Sequence, residues 1–329
     1  MSEAPYSSSP LTSSDASPSL RLVSCNLQFG TPASGWDKQN RKLSVRGFTP
    51  SSHQARTALI AAAQELKNLN PDILLLQEVD MYQARSGNLN QVKQVSDILD
   101  MDYWEYAPIF SGHIVGLHHN PRSPFARSER GYGLALFSRF PIRRSLSLSL
   151  PGYKSLPRTA VAIDNQSTLL ERASTRVRAL AKDYKGRMKN QARIVQGAVI
   201  DSPLGTVALG NTHLETQSKV AKRQARLAWQ SLHSLDADAY LLAGDFNLTP
   251  KTVDSALAVL PESQRPTFHY FAQTFPAADP RHPLDQLLVS GLQTRNAPQT
   301  QRLSISDHLA VIYDLSPSSR GSFSDRGDQ

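Results

Sequence analysis

Residues 240–250 read YLLAGDFNLTP. A short apolar run reads as a strand and delivers a carboxylate, Asp245, and a carboxamide, Asn247, two positions apart at its exposed end. That pair suits hydrolysis of a phosphate ester. The carboxylate takes a proton from water, and the carboxamide holds the nucleophile or a phosphate oxygen by hydrogen bonds. By itself GDFN also fits a turn, because Asx side chains commonly close turns after strands.

Five other segments repeat the pattern of an apolar strand-like run ending in polar groups. They are LRLVSCNLQFG with Asn26, DILLLQEVD with Glu78, GTVALGNTHLE with Asn211 and His213, HPLDQLLVSG with Asp285, and SISDHLAVIYDL with Asp307 and His308. Each is weak alone, since QE, THL and SDH arise by chance. The ordered set is strong, because a sheet scaffold builds a rigid site from the ends of several strands.

At these residues the chain resembles the endonuclease/exonuclease/phosphatase superfamily of metal-dependent phosphoesterases. The resemblance runs from about Arg21 to about Leu315, and RGYGLALFSRFPI adds to it as the family's glycine-rich strand before a Ser-Arg-x-Pro turn. It implies an α/β sandwich of four layers, α/β/β/α, with two mostly antiparallel sheets packed face to face and helices outside. Composition and spacing alone support only a mixed α and β domain.

The chain has 329 residues, 40% hydrophobic and 19% charged, enough for a large core. The site motifs span Asn26 to His308, so no cut leaves a complete site in one half and one catalytic domain over 20–315 is expected. Residues 1–19 and 316–329 are rich in Ser and Pro or polar groups and read as disordered tails. The first of these lacks a signal peptide's basic start and hydrophobic stretch. No apolar run approaches the roughly 18 residues of a membrane span. The one cysteine, Cys25, excludes an intramolecular disulfide and a Cys-rich metal site, which favours a cytosolic setting. It stands beside Asn26, but its place in an apolar strand favours packing over nucleophilic chemistry. A monomer is expected.

Ala58, Leu59, Ala62, Leu66 and Leu69 recur at helical spacing, and Asn70-Pro71 ends the pattern just before a strand. Ala221, Ala225, Ala228, Leu232 and Leu235 repeat this unit ahead of the Asp245 strand. The stretch from Gly30 to Ser52 reads as a long surface loop, and His113, His118 and His119 as loop histidines rather than metal ligands. A helical insertion is expected over about 167–190, basic on one face with Arg176, Lys182, Lys185 and Lys189 among its cations. Residues 171–193 hold +6 of the chain's formal +8. Such a face is either a solvated cover or a surface for a polyanion, nucleic acid or an anionic membrane.

The resemblance implies Mg²⁺, with Mn²⁺ as a substitute, held by Glu78 with Asp307 and Asn26. Asp245 is read as general base or water-orienting carboxylate, and Asn247 as holder of phosphate or nucleophile. His308, oriented by Asp285, donates to the phosphate. His213, assisted by Asn211, forms a second imidazole arm, and Arg193 or Arg158 supplies a further phosphate contact. Where AP endonucleases follow the catalytic Glu with Thr-Lys, this chain has Val79 and Asp80, and Leu284 and Gln286 flank Asp285. Abasic-site cleavage is thereby disfavoured. The expected function is a phosphodiesterase acting on nucleic acid; the alternatives are hydrolysis of phospholipid head groups or small phosphate esters, and a catalytically silent nucleic-acid-binding module.

Overall fold

A computed structural model describes residues 18–34, 42–44, 47–112, 118–119, 129–152 and 193–318, with backbone alone at 42–44, 47–49 and 118–119. The first sheet contains β1 (Leu20–Asn26), β4 (Ile73–Met81), β5 (Tyr103–Gly112), β6 (His118–His119), β7 (Gly131–Ser138), β14 (Leu292–Thr294), β15 (Gln299–Gln301) and β16 (Ala310–Pro317). Its order is β14-β16-β1-β4-β7-β5-β6, with β15 also on β16. The second contains β8 (Ile142–Leu150), β9 (Arg193–Ser202), β10 (Gly205–His213), β11 (Ala239–Asp245), β12 (Phe268–Phe271) and β13 (Asp285–Ser290), ordered β12-β13-β11-β10-β9-β8. A separate hairpin pairs β2 (Lys42–Ser44) with β3 (Gly47–Thr49).

Each sheet is antiparallel except at one pair, β1 with β4 and β10 with β11. A parallel pair needs a crossover, and here each crossover carries a helix. Helix α1 (Ser52–Asn68) joins the first pair and α3 (Ser218–Leu232) the second. Two shorter helices, α2 (Gln91–Leu99) and α4 (Pro250–Leu257), complete the outer layers. Helix α1 starts on a capping box between Ser51 and Gln54, an arrangement whose N-cap alone is worth about 1 kcal/mol. It ends where Asn70 turns to positive φ ahead of Pro71.

The layering follows from side-chain alternation. Leu20, Leu22, Ile73 and Leu75 face the second sheet and meet Ile200, Val207, Leu209, Leu241 and Leu287. The intervening Val23, Cys25, Leu74 and Leu76 face outward and meet Leu59, Ala62 and Leu66 of α1. On the far side Ala208 and Leu242 meet Ala225, Trp229 and Leu232 of α3. Strands buried on both faces explain runs such as ILLL, which show no polar alternation. The four-layered α/β/β/α sandwich is the observed architecture.

Three details differ from the sequence reading. The stretch from Gly30 to Ser52 contains the β2–β3 hairpin. Short helices α2 and α4 stand where no helix was expected. The domain does not stop at 315: Ser316 and Pro317 pair with Gln293 and Leu292, and the Ser318 amide donates to Gly291 O. His118 and His119 form a two-residue strand on β5. Residues 1–17 and 319–329, the insertion over 167–190, Arg158 and His113 lie outside the described residues. Among the described residues, no helix is long and apolar enough to cross a membrane.

Candidate active site

The inward faces of the strands change character along their length. At one end they are leucine, isoleucine and valine; at the other, the same alternation places Ser24, Asn26, Gln77, Gln196, Asn211, His213, Asp245 and Asp285, all buried. This polar layer caps the core between the sheets. One rung of the second sheet carries three of these residues, because His213 pairs with Asp245 and Asp245 with Asp285. On the first sheet Asn26 is opposite Gln77.

Glu78 reaches the same place by breaking the alternation. Before it, even-numbered Leu74 and Leu76 face the helices; after it, odd-numbered Val79 and Met81 do. The extra residue is a bulge, seen as a register shift against β7 between Leu76 and Val79, and Glu78 sits in it at φ 55°. Bulges re-aim side chains in this way. Its side chain is 18% exposed, with Oε1 3.7 Å from His213 Nδ1. Burial pushes its carboxyl up to about 7, against the lowering pull of Arg85 and Arg193.

Asp245 is the hub. Its Oδ2 accepts from Asn26 Nδ2 at 3.2 Å and lies 3.5 Å from His213 Nε2 and 3.9 Å from His308 Nε2, while Oδ1 accepts from the Asn247 amide at 3.0 Å. Burial raises its pKa to about 6, and His308 pulls the other way. Gly244, just before it, has φ 140°, and a Cβ there would lie 2.0 Å from Thr212 O. Only glycine lets β11 approach β10 this closely. Asn247, at φ 49°, anchors its carboxamide by donating from Nδ2 to Leu214 O at 3.0 Å.

His308 and Asp285 form a buried pair, with Nδ1 2.8 Å from Oδ2. Burial alone would lower the imidazole pKa, but the carboxylates of Asp285, Asp245 and Asp307 outweigh it and carry it to about 10. His308 is therefore an imidazolium whose free Nε2–H faces Asp245. Ser306, at φ 76°, accepts the His308 amide proton on Oγ and donates to Asn26 O, which ties this loop to β1. His213 is the opposite case: burial, Arg193 and His308 all lower its pKa, so its ring is neutral.

Arg193, at the start of β9, is 5% exposed, and among the described residues its buried Nε and Nη1 have no hydrogen-bond partner. Buried donors are rarely left unmatched, so this pair is suited to receive an anion. Asp307 is partly exposed beside His308.

Asn211 is placed differently from the sequence reading. Its Nδ2 donates to Leu76 O and Ala135 O at 3.0 Å and to Gln196 Oε1 at 3.2 Å, and its Oδ1 accepts from Gln77 Nε2 at 2.8 Å. It shares a face with His213 but lies one pleat repeat, about 7 Å, deeper. Its carboxamide braces the two sheets below the cleft.

Sequence reasoning also missed Gln77, Ser306 and a cationic wall beside Glu78. Arg85 grips buried Asp80 through Nε and Nη2, both at 2.8 Å, and its guanidinium lies 3.2 Å over the Phe29 ring and 5.1 Å from that of Tyr132. Only the adjacency of Gln77 to Glu78 offered a signal; nothing in MYQARSG marks Arg85.

A family model described as "Endonuclease/Exonuclease/phosphatase family" matches residues 23–308. The endonuclease/exonuclease/phosphatase of Bacteroides vulgatus gives a TM-score of 0.56 at 15% identity, covering 91% of this chain and 99% of that one. The human Nocturnin catalytic domain with bound sulfate anion gives 0.55 at 20% identity, covering 92% and 96%. TDP2 of D. rerio complexed with single strand DNA product gives 0.52 at 14% identity, covering 91% and 99%. At these identities the likeness is one of fold. A search of curated proteins finds no match.

Proposed function

The chain belongs to the endonuclease/exonuclease/phosphatase family, and we propose that it hydrolyses phosphodiester bonds in nucleic acid with the aid of a divalent cation. The observation that carries this is Arg193, whose buried Nε and Nη1 have no partner among the described residues and whose charge acts on Glu78 and His213 in the same cleft. The sulfate on Nocturnin and the single-stranded DNA product on TDP2 support an oxyanion and a nucleic acid respectively.

The donor chemistry fits Mg²⁺, with Mn²⁺ as a substitute. Glu78, Asp307 and Asn26 offer oxygen ligands, and Mg²⁺ characteristically takes one or two carboxylates and keeps several waters. Among the described residues no group of three or more His, Cys, Asp or Glu is placed to hold a metal ion, so a cation here would rest on one or two carboxylates with water completing its shell. Glu78, raised by burial in the absence of a cation, would return to its charged form beside one. When bound, the cation neutralises charge on the phosphate oxygens.

The chain's own residues supply the rest. Asp245, more basic than an ordinary aspartate, orients water and accepts its proton. Asn247, fixed by Leu214 O, holds the nucleophile or a phosphate oxygen. His308 donates from Nε2 to the phosphoryl oxygen that gains charge, and Asp285 fixes its tautomer. Neutral His213 adds a hydrogen bond without repelling its cationic neighbours, and Arg193 grips a non-bridging oxygen. Asn211 holds the sheets in register beneath them. A monomer in a cytosolic setting completes the proposal, supported by the single free thiol, Cys25, which burial keeps inert.

The deciding experiment is a screen of plasmid DNA, single-stranded DNA, RNA, sphingomyelin, inositol phosphates and an aryl phosphodiester, with Mg²⁺ or chelator, beside Asp245→Ala. Metal-dependent cleavage of a nucleic acid that the variant lacks is expected. Turnover only of sphingomyelin or inositol phosphates would replace the substrate; nucleic-acid binding with no turnover would make the chain a silent binding module.

A further inference from the structure

Helix α3 carries Lys219, Lys222, Arg223 and Arg226 and no acidic residue. Its buried side, Ala221, Gln224, Ala225, Ala228, Trp229 and Leu232, lies against the second sheet. At 3.6 residues per turn the four cations fall on the opposite side, within an arc of about 100°. Lys219, Lys222 and Arg223 are exposed and Arg226 is half-buried. Among the described residues none of the four has a hydrogen bond or ion pair.

The outer layer on the other sheet is built differently. Lys93 and Asp97 pair along α2, and α1 carries Glu65 as well as Arg56 and Lys67. A solvated helical face usually mixes charges in that manner. The unopposed charge of α3 is a local feature.

Its position gives it a use. Strand β10 ends at His213 and α3 starts five residues later at Ser218, so the stripe begins at the rim of the cleft and runs away from it. Helix α4 follows the GDFN segment and also starts at that rim, with Lys251 exposed in its first turn. From Lys219 to Arg226 the stripe rises about 10 Å at 1.5 Å per residue, long enough to follow a strand past more than one phosphate. The exposed residues of α3 are Ser218, Lys219, Lys222, Arg223 and Gln230, none apolar. A membrane-binding helix would expose an apolar face beside its cations.

We propose that the outer face of α3 is an exosite for the phosphate backbone of a nucleic-acid strand whose scissile bond lies in the cleft. The exosite rests on the nucleic-acid reading of the substrate. It concentrates and aligns the strand without touching the reacting atoms.

The test replaces Lys219, Lys222, Arg223 and Arg226 together with Gln. Binding of a labelled single-stranded oligonucleotide to the full chain is followed by fluorescence anisotropy in EDTA across a salt series. Each neutralised phosphate contributes about 0.7 to the log-log salt slope on single strands, so the slope should flatten by about 3 and affinity should fall at low salt. KM for the oligonucleotide with Mg²⁺ should rise, while turnover of an aryl phosphodiester and the thermal midpoint stay as in wild type. Swapping each Lys for Arg and each Arg for Lys should preserve the slope. An unchanged slope overturns the exosite, as does loss of binding to phosphatidylserine vesicles with oligonucleotide binding intact. If wild type cleaves nothing yet the slope still flattens, the exosite stands and the hydrolase reading fails.

Discussion

Nδ1 of His308 lies 2.8 Å from Oδ2 of Asp285, and the two side chains come from different sheets. His308 stands in the loop before β16 and Asp285 opens β13. The pair leaves one ring nitrogen for substrate. Asp285→Asn should lower kcat by roughly 10²- to 10⁴-fold with a smaller change in KM, the range typical of a positioned acid-base group. His308→Ala should cost about as much, and the double variant little more, because the two act as a unit. Multiplicative losses in steady-state kinetics would show that they act separately.

The same pair makes stability depend on pH. His308 binds its proton more tightly in the folded protein, near 10, than its ordinary value of 6.5. Its contribution is therefore complete below pH 6.5 and is lost as pH rises through 10. Thermal midpoints of wild type should fall across that window relative to His308→Ala. Parallel curves for the two proteins would remove the imidazolium from the account.

Glu78→Gln should keep the fold and lose most activity, since it removes a charge at nearly constant volume. Differential scanning fluorimetry gives a readout free of catalysis. A ligand at 100 times its Kd stabilises by about 2.7 kcal/mol, so Mg²⁺ should raise the wild-type melting temperature and leave the variant's unchanged. Equal shifts in both proteins would move the cation elsewhere.

Arg193→Met should separate stability from function. A buried cation without an acceptor is costly, so an apolar chain of similar length should leave the melting temperature unchanged or raise it. Loss of a charged hydrogen bond, worth about 1.5–3 kcal/mol, should lower kcat/KM by roughly 10- to 100-fold. Protection of wild type by sulfate should vanish in the variant. A marked drop in melting temperature would mean that Arg193 has a structural partner.

Asn211→Ala tests bracing against catalysis. It strips partners from Gln77 and two backbone carbonyls, and each unmatched buried group costs about 1–3 kcal/mol. Urea denaturation should show a loss of several kcal/mol, with kcat of the folded protein within about tenfold of wild type. A large fall in kcat at full stability would return Asn211 to the reaction.

Much of this was readable from the chain because a strand's alternation has a period of two. Asp245 and Asp285 each continue an inward-facing apolar row by one more step, and Asn26 and His213 by two, past Ser24 and Asn211, which is why GDFN and its companions could be read as strand ends. Glu78 was found from its neighbours, but the bulge that aims it was not visible in ILLLQEVDM. Helices α2 and α4 span nine and eight residues, little more than two turns each, so the apolar stripe hardly repeats. The depth of Asn211 was not legible, because sharing a face with His213 does not give depth. Arg85 was missed because its stacking partner, Phe29, is distant in sequence, and pairings of that kind leave no periodic trace.

Each close polar contact between the sheets at the cleft joins residues of different origin: Asn26 with Asp245, Glu78 with His213, His308 with Asp285. A slide of one residue along a strand, about 3.3 Å, would separate all three pairs at once. The cleft thus acts as a gauge of sheet alignment. During folding, neither sheet alone presents a reactive surface, and a chain whose layers have collapsed without locking is chemically silent. Recovery of activity should therefore lag behind recovery of secondary structure on refolding, and it should coincide with the step that closes the polar layer over the core.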